Sequence, residues 1–434
     1  MSELDSSASV LPSYSPSVPA PLYSSEPACG ELLLEHTPRS RSLRPPPTSS
    51  FIKKMGSVTL VLNEQEENVD MPSYGRHAVI SGTVCFGECH TTAEVIIQIE
   101  GKLDSTISEG GSTSFVLVKD TYTLWKDSNS LNACPSQLPF TIILPSTYQD
   151  GGESRPLPPT YEANFPGVPA LFVRSSYRIH VTVRRIPNRK IGFWTKTKRV
   201  IVPFKYTPRT RSHRPIVPTP CFFSSVKTSP EEWYQAVATM KTRTSSQLSP
   251  INCHLFVPAA RIYGLIDIIP FHVQLTGRVS SLKEFFSSHN LDRISSADSH
   301  ISATTTKANK SSKPMVRLYL LRQVAVDVAG EKGWRNSVIG EGTLYSVPPA
   351  LSTCYSLPMD CREENLDWEG ELRVNSDITC GSFQASNVHV KDFIALSLKP
   401  PNPFTSPLLE MQLTVPIRFV TDSWGDTTTL ETGA

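Results

Sequence analysis

Apolar residues recur at every second position over short stretches of this chain, the period at which a strand puts one face on a core and the other toward solvent. Val58, Leu60 and Leu62 alternate with their neighbours, and so do Ala78, Ile80, Gly82, Val84 and Phe86. The rhythm continues through Val95, Ile97 and Ile99, then Phe115 to Trp125, then Phe140, Ile142 and Leu144. Tyr177, Ile179, Val181 and Val183 follow, and the group closes with a strand from Trp194 to Phe204. Turn residues separate these segments and no helical pattern lies between them, which predicts an antiparallel sandwich rather than a parallel α/β sheet.

A second group opens near Leu255 and runs through Ile262 to Leu275, Val316 to Val328, Trp334 to Val347, Glu371 to Val374, Val388 to Leu398 and Leu408 to Val420. Between the groups, Ser229-Pro230-Glu231-Glu232 has the form of a helix start: a capping serine, proline at the first helical position and Glu232 to close the capping box. The spacing predicts a short helix ending near Lys241, with Trp233, Val237 and Met240 on one face.

The expected fold is all-β: two consecutive antiparallel β-sandwich domains, at 51–218 and 251–424, joined by a linker at 219–250 that carries the helix. Residues 1–50 are rich in Ser and Pro and have no apolar period to offset the entropy of ordering, so they are expected to form a disordered tail. Ser287 to Pro314 predicts a mobile loop inside the second domain, and 425–434 a short tail.

Composition narrows the function. A chain of 434 residues exceeds what one core organises, and 37 prolines suit turns and strand edges better than helices. No run approaches the roughly 20 apolar residues of a membrane-spanning helix; even Ile262 to Leu275 is interrupted by Asp267, Pro270 and His272. The acidic start Met-Ser-Glu-Leu-Asp does not read as a secretory signal, so a cytoplasmic location is expected. Nine cysteines, an odd number without repeated spacing, suggest reduced thiols rather than a disulfide framework. Cys85, Cys89 and His90 form the tightest group, but no second ligand pair completes a tetrahedral zinc site. The chain has no Gly-rich phosphate loop, no Gly-x-Ser-x-Gly elbow and no His-Glu-x-x-His pair. The expectation is a protein without catalytic residues, metal or cofactor.

Charge redraws part of this picture. The net charge of +2 conceals a stretch from Ala163 to Pro230 with no Asp or Glu, within which 13 Lys or Arg fall between Arg174 and Arg214. With Tyr177, Ile179, Val181 and Val183 inward, Arg178, His180, Thr182 and Arg184 face outward. Arg189 and Lys190 occupy the following turn, and Lys196 and Lys198 alternate with Thr195 and Thr197 on the returning strand. The pattern predicts a cationic hairpin suited to phosphorylated tails or acidic lipid headgroups, or else a solvated polar face. Tyr177, Phe193, Trp194, Phe204 and Tyr206 interleave with these cations, which keeps nucleic-acid binding as the alternative, although several of the rings are predicted inward.

Leu157-Pro158-Pro159-Thr160-Tyr161 fits the Pro-Pro-x-Tyr peptide that WW domains read in an extended polyproline conformation, and a folded loop is the other reading. Leu11-Pro12-Ser13-Tyr14 is a weaker variant in the tail.

Several segments occur in a telling order: Ile80-Ser-Gly-Thr-Val, Val95-Ile-Ile-Gln-Ile-Glu-Gly, Leu138-Pro-Phe-Thr-Ile-Ile-Leu-Pro, Leu157-Pro-Pro-Thr-Tyr, Tyr177-Arg-Ile-His-Val-Thr-Val-Arg-Arg and Val202-Pro-Phe-Lys-Tyr-Thr-Pro-Arg-Thr-Arg. Over residues 56–218 this succession resembles the N-domain of fungal arrestin-like proteins, the arrestin-related trafficking adaptors of the alpha-arrestin type. Phe256-Val-Pro-Ala-Ala-Arg and Ile269-Pro-Phe-His-Val-Gln-Leu-Thr-Gly look similar to the opening of the arrestin C-domain. The resemblance implies a non-enzymatic adaptor that links membrane-protein cargo, such as transporters or receptors, to HECT-type ubiquitin ligases or endocytic machinery. It implies peripheral recruitment to the plasma membrane or endosomes. It also implies that the strand from Arg178 to Arg185 carries the charged cluster with which receptor-binding arrestins sense phosphate, His180 being a candidate for the sensor position, with no matching acidic partner apparent. Such adaptors commonly keep their Pro-Pro-x-Tyr motifs in a long tail after the C-domain. Here about ten residues follow Trp424, which turns attention to the two tyrosine motifs above.

Overall fold

A computed structural model describes the backbone of residues 31–33 and, in full, residues 48–87, 92–127, 133–185, 196–217, 221–286, 315–347 and 363–424. In chain order the strands of the first half are β1 (Glu31–Leu33), β2 (Ser49–Met55), β3 (Val58–Gln65), β4 (Ser73–Tyr74), β5 (Val79–Phe86), β6 (Thr92–Ile107) and β7 (Gly111–Lys126). They continue with β8 (Gln137–Ile143), β9 (Thr147–Asp150), β10 (Glu153–Pro156), β11 (Tyr161–Phe165), β12 (Leu171–Arg185), β13 (Lys196–Tyr206) and β14 (Thr210–Ser212). A short helix α1 (Phe222–Thr228) leads into β15 (Trp233–Met240), β16 (Ile251–Pro258), β17 (Ile262–Gly264) and β18 (Ile269–Arg278). After a second helix, α2 (Val279–Phe285), come β19 (Val316–Val328), β20 (Glu331–Val347), β21 (Glu363–Leu372), β22 (Phe383–Ala385), β23 (Val388–Leu398) and β24 (Met411–Val420).

The all-β sandwich-type fold expected from the alternation is present. In the first half a four-stranded sheet, β2-β3-β5-β8, shares one apolar core with a sheet in the order β4-β13-β12-β6-β7, to which β11 adds by pairing with β12. Along β6 every second residue is buried from Val95 to Ile107, and Ile97 and Ile99 share that core with Leu60, Ile80, Val181 and Phe204. Each such side chain contributes about 1.5–3 kcal/mol by leaving water, and a change such as Ile97→Ala costs about 2–5 kcal/mol. Gly101 is required where it stands: a Cβ there would lie 2.7 Å from the Tyr177 ring.

The second half is one ten-stranded sheet in the order β15-β16-β18-β21-β20-β19-β23-β24-β17, with β22 on β23. It curls because β20 serves two neighbours, pairing with β19 over 331–341 and with β21 over 342–347. The change falls beside a register shift at Leu320/Leu321 and at Gly340, where the Arg373 carbonyl leaves no room for a Cβ. The two limbs enclose a second core built on Ile251, Leu255, Val273, Leu318, Leu320, Leu396 and Phe419.

The first core does not stop at the linker. Val324, Val326, Val328, Phe383, Ala385, Val388 and Val390 belong to it. Polar contacts reinforce the junction: Ser386 N–H donates to Tyr148 Oη at 2.7 Å, and Asn387 Nδ2 to Ser105 Oγ at 2.9 Å.

Three local expectations change. Trp233–Met240 is a strand, not a helix: Pro230–Glu232 makes only a 3₁₀ turn and Ser229 makes no side-chain cap bond. Tyr234, Ala236, Ala238 and Met240 alternate onto the second core, and an eight-residue ladder with β16 overrides the local capping signal. The apolar run Ile262 to Leu275 is two strands, split by a turn in which Asp267 Oδ2 accepts from Gly264 N–H at 2.6 Å. Glu31–Leu33, inside the expected tail, pairs antiparallel with β14. The rest of 1–47, the loop 287–314 and the tail 425–434 lie outside the described residues. Among the described residues no helix is long and apolar enough to cross a membrane.

Candidate functional site

The strand at the centre of the basic stretch is β12, and it does turn Arg178, His180 and Arg184 away from the buried Tyr177, Ile179, Val181 and Val183. Its neighbour β6 answers them. The register places Glu100 opposite Arg178, Glu94 opposite Arg184 and Asp104 opposite Arg174. Arg184 Nη1 donates to Glu94 at 2.7 Å, and Arg174 lies 3.6 Å from Asp104. His180 Nε2 stands 3.2 Å from Glu100, which also takes Lys102 Nζ at 3.0 Å. Glu100 is thus the acidic partner of His180 that its own neighbourhood in the chain did not disclose. Burial pushes the Glu100 carboxyl up, but the hydrogen bond and charge of Lys102, joined by His180, hold it below its usual value. Burial lowers His180, and the attraction of Glu100 does not offset it.

The returning strand corrects the expected cationic hairpin. On β13 the buried residues are Val200, Val202, Phe204 and Tyr206, so Lys196 and Lys198 share the parity of the core face, while Arg199 and Lys205 take the outer one. Lys198 reaches over the β2–β3 turn, with its ammonium against Gly56, and Arg185 Nη2 donates to Ser57 Oγ at 3.0 Å beside it. The two faces of a strand alternate strictly, so Lys196 and Lys198 do not extend the surface of Arg178 and Arg184. Arg189 and Lys190 lie outside the described residues.

Leu157–Tyr161 is a folded loop. Leu157 is 2% exposed and its N–H donates to Ser146 O at 2.9 Å. The Pro158 carbonyl accepts from Tyr177 Oη at 2.6 Å. Thr160 N–H donates to Tyr206 O at 2.9 Å, and its Oγ1 accepts from Tyr206 N–H at 2.8 Å. Pro159 is half-buried, and Tyr161 opens β11 with its ring edge-on to Phe383, centroids 5.3 Å apart. Burial pushes the Tyr161 phenol up to about 12 against the lowering charge of Arg322. A WW domain needs this segment extended and free, and here its backbone and rings are engaged. Leu11, Pro12 and Tyr14 lie outside the described residues.

The same loop forms one wall of a cavity of about 780 Å³. It opens where β12 changes neighbours along one edge, from β11 at Leu171–Ser175 to β13 at Tyr177–Arg185. Residues 379–384 and Arg418 of the second half close its far side. Among the described residues Arg76, Arg155, Arg174, Arg178, Lys205 and Arg418 line it against a single acid, Glu162. Tyr177 packs on Phe204 and Tyr206, with centroids 5.7 and 5.3 Å away, to form an aromatic floor. Two ion pairs flank this junction. Arg322 and Asp392, both buried, pair through two bonds of 2.8 and 3.0 Å, with Ser382 Oγ donating to Asp392 at 2.6 Å. Arg209 of the first half meets Asp422 of the second at 2.6 Å.

No protein-family model matches the chain, and no curated protein matches it.

The site therefore has to be read from its chemistry. Tyr177, Phe204 and Tyr206 are at most 1% exposed, so these rings offer no stacking platform to a nucleic acid, and Phe193 and Trp194 lie outside the described residues. Among the described residues there is no group of three metal-ligating side chains; Cys85 is a free thiol, and Cys89 and His90 lie outside them. Arg76, at the heart of the cavity, carried no signal in the sequence: it lies outside the basic stretch and reaches Tyr206 only through the fold.

Proposed function

We propose that the chain is a non-enzymatic adaptor of the arrestin-like type, one that engages acidic or phosphorylated tails of membrane cargo and connects them to a ubiquitin ligase or to endocytic machinery. The observation that supports this reading most is the junction itself: the core of the first half takes in residues of the second, and the halves meet at a cavity whose described lining carries six cations and one acid. Such a surplus attracts anionic groups, and positions on both halves let an engaged tail act on their contact. The order of arrestin-like segments along residues 56–218 supports it independently.

The ligase connection is assigned to the N-terminal motif rather than to the loop. Purified WW domains of a HECT ligase are expected to bind the full chain, with Tyr14→Ala lowering affinity and Tyr161→Ala leaving it unchanged in protein that remains folded. Affinity indifferent to Tyr14→Ala and to the double change would remove direct recruitment through these motifs. For the adaptor reading as a whole, proximity labelling in the native cell is expected to recover transporters or receptors and trafficking proteins. Recovery of nucleic-acid-binding proteins in their place overturns it.

A further inference from the structure

We propose that the cavity between β11, β13 and residues 379–384 is a binding site for a small phosphate-bearing molecule, held by Arg76 and Tyr206 and bridging the two halves of the protein.

Arg76 sits in the turn between β4 and β5 and is 8% exposed, yet its Nε has no hydrogen-bond partner and it forms no ion pair among the described residues. A guanidinium nitrogen held away from water without a partner costs the fold free energy. Tyr206 lines the same cavity and is fully buried, and its phenolic Oη likewise has no hydrogen-bond partner. Burial pushes that phenol up to about 12, so it is an O–H donor at neutral pH, and the Arg76 charge acts on it from close by. Buried polar atoms in native proteins are nearly always satisfied, and donors left without a partner on one cavity, Arg76 Nε and Tyr206 Oη with Arg174 Nε beside them, point to an acceptor that completes them.

The missing group must accept from both Arg76 and Tyr206 and carry negative charge, because among the described lining residues only Glu162 is acidic. A phosphate monoester meets both demands: its oxygens take guanidinium and hydroxyl donors together. The cavity is larger than a bare phosphate requires and matches the size of pockets that hold small organic molecules. Leu157, Pro159 and Phe383 supply apolar wall for the organic part. Since Thr379, Gly381 and Gln384 close the site from the second half, a bound molecule touches both halves at once. This inference shares its cavity with the adaptor reading, but pyrophosphate binding tests it separately from the labelling that tests that reading.

The test uses the full chain at constant ionic strength, with inorganic pyrophosphate as the soluble probe and phosphatidylcholine vesicles containing phosphatidic acid as the lipid probe. Pyrophosphate is expected to raise the unfolding midpoint saturably. Arg76→Gln and Tyr206→Phe should each weaken its affinity about ten- to a hundredfold, the range for hydrogen bonds to charged groups. Tyr206→Phe keeps the ring on Tyr177, so it decides the matter even if Arg76→Gln does not fold. Vesicle binding lost in Tyr206→Phe would assign the phosphate to a lipid headgroup and still support the site. The proposal is overturned if pyrophosphate moves the midpoint no more than chloride does and vesicle binding is the same in wild type and Tyr206→Phe. It is equally overturned if Tyr206→Phe and Arg76→Gln respond to pyrophosphate as the wild type does.

Discussion

Arg322 and Arg76 are both withdrawn from solvent, at 3% and 8% exposure, but the fold treats them differently. In the second half, Arg322 on β19 lies directly opposite Asp392 on β23, and the pair makes two bonds while Ser382 satisfies the carboxylate further. Burial works against the Arg322 charge, but the hydrogen bonds and charge of Asp392 overcome it and raise its already high value. In the first half Arg76 meets no carboxylate among the described residues. One region is electrostatically complete by itself; the other is complete only when something enters. A strand register supplies the first partner, so it is always present, whereas a cavity leaves the second to be supplied from outside.

Breaking the finished pair has the largest expected effect. Asp392→Asn leaves a buried guanidinium unanswered and should cost about 3–5 kcal/mol in chemical denaturation, while Arg322→Met with Asp392→Leu should recover most of that loss. The unfinished site should respond with the opposite sign. Arg76→Met removes a charge that nothing satisfies, and the ligand-free protein should gain about 1–3 kcal/mol; a loss of that size would mean that Arg76 already has its partner. On the outer face of β12, where cations and acids stand in exposed pairs, Glu94→Gln should change stability by less than about 0.5 kcal/mol. It should nevertheless raise association with acidic vesicles at low salt, because it frees Arg184.

The smallest effect lies at His180. Its value in the folded state is below its ordinary one, so on acidification the unfolded chain takes the proton first. The stability it contributes is full above the ordinary histidine value and is lost as the pH falls through that value toward the folded one. His180→Gln should therefore flatten the dependence of the unfolding midpoint between about pH 7 and pH 5. A profile parallel to that of the wild type would show that the ring is not part of the acid response.

The strands were legible because alternation is a local property: Val58, Leu60 and Leu62, or Ile97 and Ile99, declare a buried face within a few residues. Where two local signals competed, the reading turned on context. Ser229-Pro-Glu-Glu has the chemistry of a helix start, but the residues that follow alternate onto a core and pair with β16. Alternation places Lys196 and Lys198 on one face of their strand without saying which, and the parity of β13 puts them on the side of Val200 and Val202. Most of the charge pairing was out of reach for a different reason. Glu100 stands opposite Arg178 and beside His180 through sheet register, and Arg76 acts on Tyr206 across an even longer stretch of chain. No spacing rule connects such positions, so the basic stretch could be seen while the acids that balance it, and the cavity that lacks them, could not.

The divided strand β20 has a consequence for how this protein tolerates change. Both limbs of the curled sheet hang their register on one uninterrupted segment, the first ten or so residues aligning one limb and the last few the other. A single inserted residue near Gly340 would not produce a local bulge alone; it would interchange inward and outward side chains in whichever limb lies beyond it. Length variation in this half is thus confined to the connections between strands, and the one segment that spans both layers is the one whose length is not free to drift.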